Sequence, residues 1–318
     1  MATAPSGPHS ISAISAPSCD GEGAWREMAV PVFPPNPEDV ADDPHPWSLG
    51  KIWILENGGA ADRLWVGTIP GGLFRSDDGG ASWSLNEALW HMPERRQWVG
   101  VAGGEQPGIN SVLIDPSYPS DIRVGVSTAG VWGSTDAGNS WNLNRGMYVE
   151  YMPPELRHNP IVQDIHRLAH CAAHPEIVWC QHHNGVFRSE NAGATWREVT
   201  AIQPSKFGFA VAAHPSDPKT AWFVPAIKDE RRIPMDGQVV VGRTRDAGRS
   251  FEVLRRGLPQ RHAYDLVRRH GLAVDETGEL LALGSTSGGL WISEDAGASW
   301  TMPEARLPPI AVVRFAPV

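Results

Sequence analysis

The imidazoles of His166 and His183, with His45 upstream, are the side chains best suited to chemistry near neutral pH. Brought together, they could hold a divalent metal or serve as acid and base. A second set is cationic. Lys228-Asp-Glu-Arg231-Arg-Ile-Pro-Met-Asp236 is one charged stretch, and Arg95, Arg96, Arg157, Arg268 and Arg269 lie in others. Guanidinium groups of this kind grip carboxylates and phosphates. Tyr148, Tyr151 and Tyr264 add hydroxyls, the first two with Glu150 and Glu155 close in sequence. The catalytic candidates are therefore Tyr148, Tyr151, Tyr264 and His166. The ligand-binding candidates are His45, Trp47, His166, His183, Lys228, Arg231 and Arg269, with His166 and His183 as the metal pair. The competing reading is plain: hydrogen-bonded structural histidines and solvated loop charge.

What positions these groups is a repeat. Ser76-Asp-Asp78-Gly-Gly80-Ala-Ser82-Trp83 returns as Ser134-Thr-Asp136-Ala-Gly138-Asn-Ser140-Trp141 and Ser293-Glu-Asp295-Ala-Gly297-Ala-Ser299-Trp300. Variants stand at Ser189–Trp196, with Asn191 for the aspartate, and at Thr244–Phe251, around Asp246. A worn copy surrounds Asp20. Asp20, Asp78, Asp136, Asn191, Asp246 and Asp295 recur every 49–58 residues, the signature of stacked supersecondary units. A turn aspartate accepts backbone N–H groups, glycine two residues on tolerates positive φ, and tryptophan anchors the turn on a sheet. Strand-like runs such as Gly71–Ser76 precede each copy, so each is read as a hairpin turn with a fold-stabilising role.

These motifs resemble the Asp-box, or bacterial neuraminidase (BNR), repeats of β-propellers, found in sialidases, sortilin-type receptors and photosystem II assembly factors. With Asp43-Pro-His45-Pro-Trp47 and Asp236-Gly-Gln-Val239, the chain is similar to bacterial BNR-repeat proteins often called sialidase-like or glycosyl hydrolase-like. The resemblance implies an all-β propeller. It implies glycosidase chemistry as one function, with an arginine trio, a tyrosine nucleophile with a glutamate partner, and an aspartate acid/base. The family's Arg-Ile-Pro signature is present only as Arg232-Ile233-Pro234, displaced to the fourth full repeat.

The repeats and the strand runs between them predict a single propeller domain over residues 1–318, with 1–8 flexible. Six blades are expected, seven being the alternative, with Ile310–Phe315 completing a blade begun by residues 9–30. Strand direction puts the repeated turns on one face. It puts the long segments 31–50, 86–108, 142–164, 228–237 and 255–264 on the other, where a site would lie.

A net charge of −9 argues against nucleic acid as a partner. Three cysteines are too few for a disulfide framework. No apolar run reaches membrane-spanning length, and Met1–Ser18 lacks a secretory pattern, so a cytoplasmic location is expected. The expected partner is a small anionic or carbohydrate ligand over the central channel, or a protein docking on Trp90, Trp98, Tyr148 and Tyr151. Glycoside hydrolysis and a metal-dependent site are the alternatives.

Overall fold

The computed structural model describes residues 13–14, 27–36, 42–100, 106–316. It shows an all-β propeller of five antiparallel blades among these residues. Blade 1 comprises Lys51–Asn57, Leu64–Ile69, Leu73–Ser76 and Ser84–Leu85. Blade 2 comprises Gly108–Ile114, Ile122–Ser127, Gly130–Ser134 and Asn142–Leu143. Blade 3 comprises Ile165–Cys171, His174–His182, Gly185–Ser189 and Arg197–Val199. Blade 4 comprises Gly208–Ala213, Ala221–Pro225, Val241–Thr244 and Glu252–Leu254. Blade 5 has three strands, Leu272–Val274, Leu281–Gly284 and Leu290–Ser293, and Thr301 bridges Ile292 where a fourth would run. The second strands carry Trp65, Trp179 and Trp222, all fully buried. Such rings fill the wedge between blades that no aliphatic side chain would span.

The blade count corrects the sequence expectation of six or seven. Ile310–Phe315 does not complete an N-terminal blade. Val312 pairs in parallel with His270, Val313 N donates to His270 O at 2.9 Å, and Ile310 N donates to Ser285 O at 2.9 Å. This places the segment alongside blade 5, and Arg314 Nη2 then reaches Glu56 of blade 1 at 2.6 Å. The copy around Asp20 lies outside the described residues. Only the two-residue pair Ala13–Ile14 with Glu27–Met28 is described near it.

The five remaining turns close as their residue types require. Ser134 Oγ donates to Asp136 Oδ1 at 2.8 Å and accepts from Gly138 N at 2.8 Å. Asp136 takes Ser140 N at 2.9 Å and Ser140 Oγ at 2.6 Å. The same set recurs at Asp78, Asp246 and Asp295, and Asn191 takes Thr195 N at 2.9 Å. Glycine at positive φ was expected. Unforeseen was that the residue before it is left-handed too: Ala137, Ala192, Ala247 and Ala296 have φ between 54° and 62°.

That strained residue turns its carbonyl toward the preceding blade. Arg123 donates to Ala192 O at 2.6 Å, Arg197 to Ala247 O at 3.3 Å, and Arg243 to Ala296 O at 2.7 Å. Between blades 1 and 2 the stitch is Asn86, which donates to Gly138 O at 2.9 Å and accepts from Trp141 Nε1 at 3.0 Å. Asn86 also caps a short helix, Glu87–Trp90.

The long loops are packed. Asp43 accepts from His45 N at 3.0 Å and from Trp47 Nε1 at 3.0 Å, and it pairs with the buried Arg95. Trp90 and Trp98 are 1% and 3% exposed, so they are core and not the partner surface expected of them. No helix among the described residues is long and apolar enough to cross a membrane.

The turns make two expectations testable. Ser134→Ala strands the buried Gly138 N–H, and should lower unfolding free energy in a denaturant titration by about 1–3 kcal/mol. Hydrogen bonds from Ser82, Ser140 and Ser250 hold Asp78, Asp136 and Asp246 at about 2 in the folded chain. A depressed carboxylate stabilises the fold above its unfolded pKa, and this is lost as pH falls through the folded value. The melting temperature should therefore drop between about pH 4 and pH 2.

Candidate functional site

The five inner strands run from the long-loop face toward the face of the repeated turns, so their first residues ring one channel mouth. Blade 3 supplies most of it. Ile165 pairs with His182, which sets His183 of the following turn level with the strand's start. His183 N donates to Asp164 O at 3.0 Å, clamping turn to strand. Gln181 Nε2 holds the same turn by donating to His182 O, Gly185 O and Lys206 O.

The result is a compact cluster. The rings of His166 and His183 are 5.4 Å apart, edge to face. Asp164 Oδ2 lies 3.2 Å from His183 Nδ1 and 3.8 Å from His166 Nε2. Ser127 Oγ donates to the other oxygen of Asp164 at 3.3 Å. His166 stacks on Phe209 at 4.5 Å and donates through Nδ1 to Gly208 O at 2.6 Å. Asp164 and His166 are buried, whereas His183 is half-buried and carries Tyr151 against it at 5.0 Å.

Burial works on both central groups, in opposite senses. It pushes His166 down to about 3, only partly offset by Asp164, so the ring is neutral. Burial alone would raise Asp164, yet the His183 hydrogen bond and the nearby cations, Arg269 among them, hold it well below the usual carboxylate range. The site therefore presents a fixed anion beside a neutral imidazole.

Beside it stands an aromatic and cationic rim. The Arg269 guanidinium sits 4.7 Å from the Trp53 ring and 5.3 Å from Phe209. Lys51 lies 5.4 Å from Trp53, and Arg232 lies 5.5 Å from Phe209. Deeper in the channel, Arg167 donates to Asn110 O at 3.1 Å and approaches Glu56 at 3.4 Å, while His270 Nε2 donates to Asn110 O at 2.8 Å. Two open hollows of about 420 and 500 Å³ lie elsewhere, one along Met302–Arg306 and one beside Trp132, Trp141 and Arg145.

The structure thus brings together His166, His183, Tyr151 and Arg269 of the sequence candidates. His45 is buried with both ring nitrogens engaged, to Gln106 Oε1 at 2.9 Å and Arg95 O at 3.0 Å, and Trp47 belongs to the same knot around Asp43. Tyr148 donates to Glu198 Oε1 at 2.9 Å on the outermost strand of blade 3, where burial and that carboxylate push it up to about 12. Among the described residues no arginine pairs with that tyrosine and glutamate. Tyr264 is exposed, without a ring contact to the cluster. Lys228 and Arg231 stand exposed on the blade 4 insertion, Lys228 paired with Glu230 at 3.3 Å. Asp164, Phe209 and Trp53 escaped the sequence reading. Only the Asp164-x-His166 spacing at a strand start hinted at the first.

No family model matches the chain. A curated relative, the oligoxyloglucan-reducing end-specific xyloglucanase of Emericella nidulans, is 29% identical over 117 residues, 34% of this chain and 13% of that protein. Among solved structures the xyloglucanase of Xanthomonas campestris aligns over 80% of this chain and 39% of its own, at 18% identity and TM-score 0.54. YCF48 bound to D1 peptide aligns over 89% of this chain and 73% of its own, at 12% identity and TM-score 0.52. At such identities the structural likeness establishes the β-propeller fold. The chain spans well under half the length of either xyloglucanase.

The tautomer assignment is directly measurable. Nitrogen-15 NMR should show His166 neutral and protonated at Nδ1 throughout pH 5–8, as about 3 for its pKa requires. A ring titrating near 6.5 would break the electrostatic account.

Proposed function

We propose that this chain is an Asp-box propeller that binds a small anionic, sugar-like ligand over the channel mouth on its long-loop face. The observation that carries the reading is Arg269 held over Trp53 and Phe209, with Lys51 and Arg232 beside the same rings. An aromatic face suits the apolar side of a pyranose ring, and a guanidinium beside it suits a carboxylate or phosphate. The five serine- or threonine-closed turns support membership of the Asp-box class, and they leave the opposite face free for recognition.

Glycoside hydrolysis is the second reading, favoured by the stretch shared with the xyloglucanase of Emericella nidulans. Retaining and inverting mechanisms with a carboxyl pair need two acids roughly 5–10 Å apart across the scissile bond. Asp164 is the one carboxylate inside the cluster, so the binding reading leads.

Calorimetric titration with a panel of neutral and acidic mono- and oligosaccharides separates the two. Binding of an acidic sugar should weaken about tenfold or more in Arg269→Gln, the loss of one charge-assisted hydrogen bond. Trp53→Ala should weaken neutral and acidic sugars alike. Equal binding by wild type and Arg269→Gln would sink the anionic reading, while release of reducing sugar would favour hydrolysis.

A further inference from the structure

The hydrogen-bond pattern of His166 turns one ring nitrogen toward Asp164 and His183. Gly208 O can only accept, so the ring nitrogen 2.6 Å from it, Nδ1, carries the proton. Nε2 is then the nitrogen turned toward the cluster. It faces Asp164 Oδ2 at 3.8 Å. No hydrogen bond to this Nε2 occurs among the described residues. An imidazole nitrogen and a carboxylate oxygen turned to each other at this distance are placed to share one cation.

The third donor is already in place. His183 Nδ1 lies 3.2 Å from the same carboxylate oxygen, and one donor atom from each of the three residues falls within 4.8 Å of the others. Ligand atoms sharing a tetrahedral ion at zinc–nitrogen distances are about 3.3 Å apart, so the two carboxylate separations fit and a small turn of the half-exposed His183 ring completes the set. The outer contacts are those a metal site needs. A backbone carbonyl fixes the tautomer of His166, and Ser127 Oγ steadies the second carboxylate oxygen at 3.3 Å.

We propose that Asp164, His166 and His183 form a binding site for one divalent transition-metal ion of the zinc class, open on the side of His183 and Tyr151. Two imidazole nitrogens select this class over calcium or magnesium, which prefer all-oxygen surroundings. Three protein ligands leave a coordination position for water or for a ligand's oxygen. The site stands independently of what binds over the mouth, because metal content is read without any sugar present.

The test uses the full chain without a polyhistidine tag, stripped with chelator and titrated with zinc alone and with cobalt(II) alone. One equivalent of zinc should bind at micromolar concentration or tighter, and cobalt should give the visible absorption of a low-symmetry, four- or five-coordinate ion. His183→Ala and Asp164→Asn should each weaken zinc binding about a hundredfold. Circular dichroism melts should confirm that both variants fold, since His183 is only half-buried and the asparagine keeps the shape of Asp164. His174→Ala, removing an exposed histidine beside Glu176, should leave binding unchanged. The proposal is overturned if wild type takes up no zinc in the micromolar range. It is equally overturned if folded His183→Ala and Asp164→Asn bind as wild type does, or if His174→Ala is the variant that loses the metal.

Discussion

In three of the repeated turns a left-handed alanine aims its carbonyl at an arginine of the preceding blade, and the seating of those blades depends on that contact. An alanine in this conformation costs roughly 1–2 kcal/mol, so four of them are not accidents of sequence. What offsets the cost is a charged donor: Arg123, Arg197 and Arg243 each reach such a carbonyl across a blade boundary. A hydrogen bond to a charged group contributes about 1.5–3 kcal/mol, more than the strain where the contact is sheltered. Arg243 is 4% exposed and shares Ala296 O with Trp222 Nε1, so the stitch there is dry. The aspartate of each turn acts at one remove, holding the loop in the only shape that presents the carbonyl outward.

Fixing the blade-to-blade rotation fixes the channel mouth, because the inner strands are the hub. With five blades the hub is narrow enough for side chains to close it. Arg167 from blade 3 meets Asn110 of blade 2 and Glu56 of blade 1, and His270 reaches Asn110 from beside blade 5. Asp164 is buried, and the low effective dielectric there makes each nearby charge count.

The sequence carried local chemistry well and closure poorly. Serine, aspartate and glycine at fixed offsets dictate a turn whatever surrounds them, so those turns and the sorting of loops onto two faces followed directly. Ile310–Phe315 reads as a strand equally well beside any sheet. Its choice of a parallel partner at His270 depends on which edge the ring leaves open, and nothing in its six residues encodes that. His166 and His183, paired already in the sequence, meet because the antiparallel register of Ile165 with His182 sets the two at one level. Asp164 gave only the weak signal of its spacing to His166, since a lone acid before a strand is usually solvated. Trp90 and Trp98 looked like contact residues because loop position suggests exposure, but the Asp43–Arg95 pair draws their loop down onto the blade.

The charge state of Asp164 bears on which chemistry the mouth supports. A carboxyl serving as general acid must hold a proton at working pH, which burial without compensation would provide. Here compensation wins: His183 and the field of Arg269 keep the group ionised, so it can orient an imidazole or hold a cation but has no proton to give a leaving group. Asp229, on the blade 4 insertion, is a second carboxyl whose field reaches Tyr151. It pairs with Arg232 at 2.5 Å. An ionised carboxylate beside two imidazoles makes a site that attracts and orients positive charge. The rim of Arg269, Lys51 and Arg232 does the same for negative charge. A ligand spanning both, anionic at the rim and with an oxygen donor over His183, would satisfy the two halves at once, and this is the arrangement that gives the binding and metal readings a common geometry.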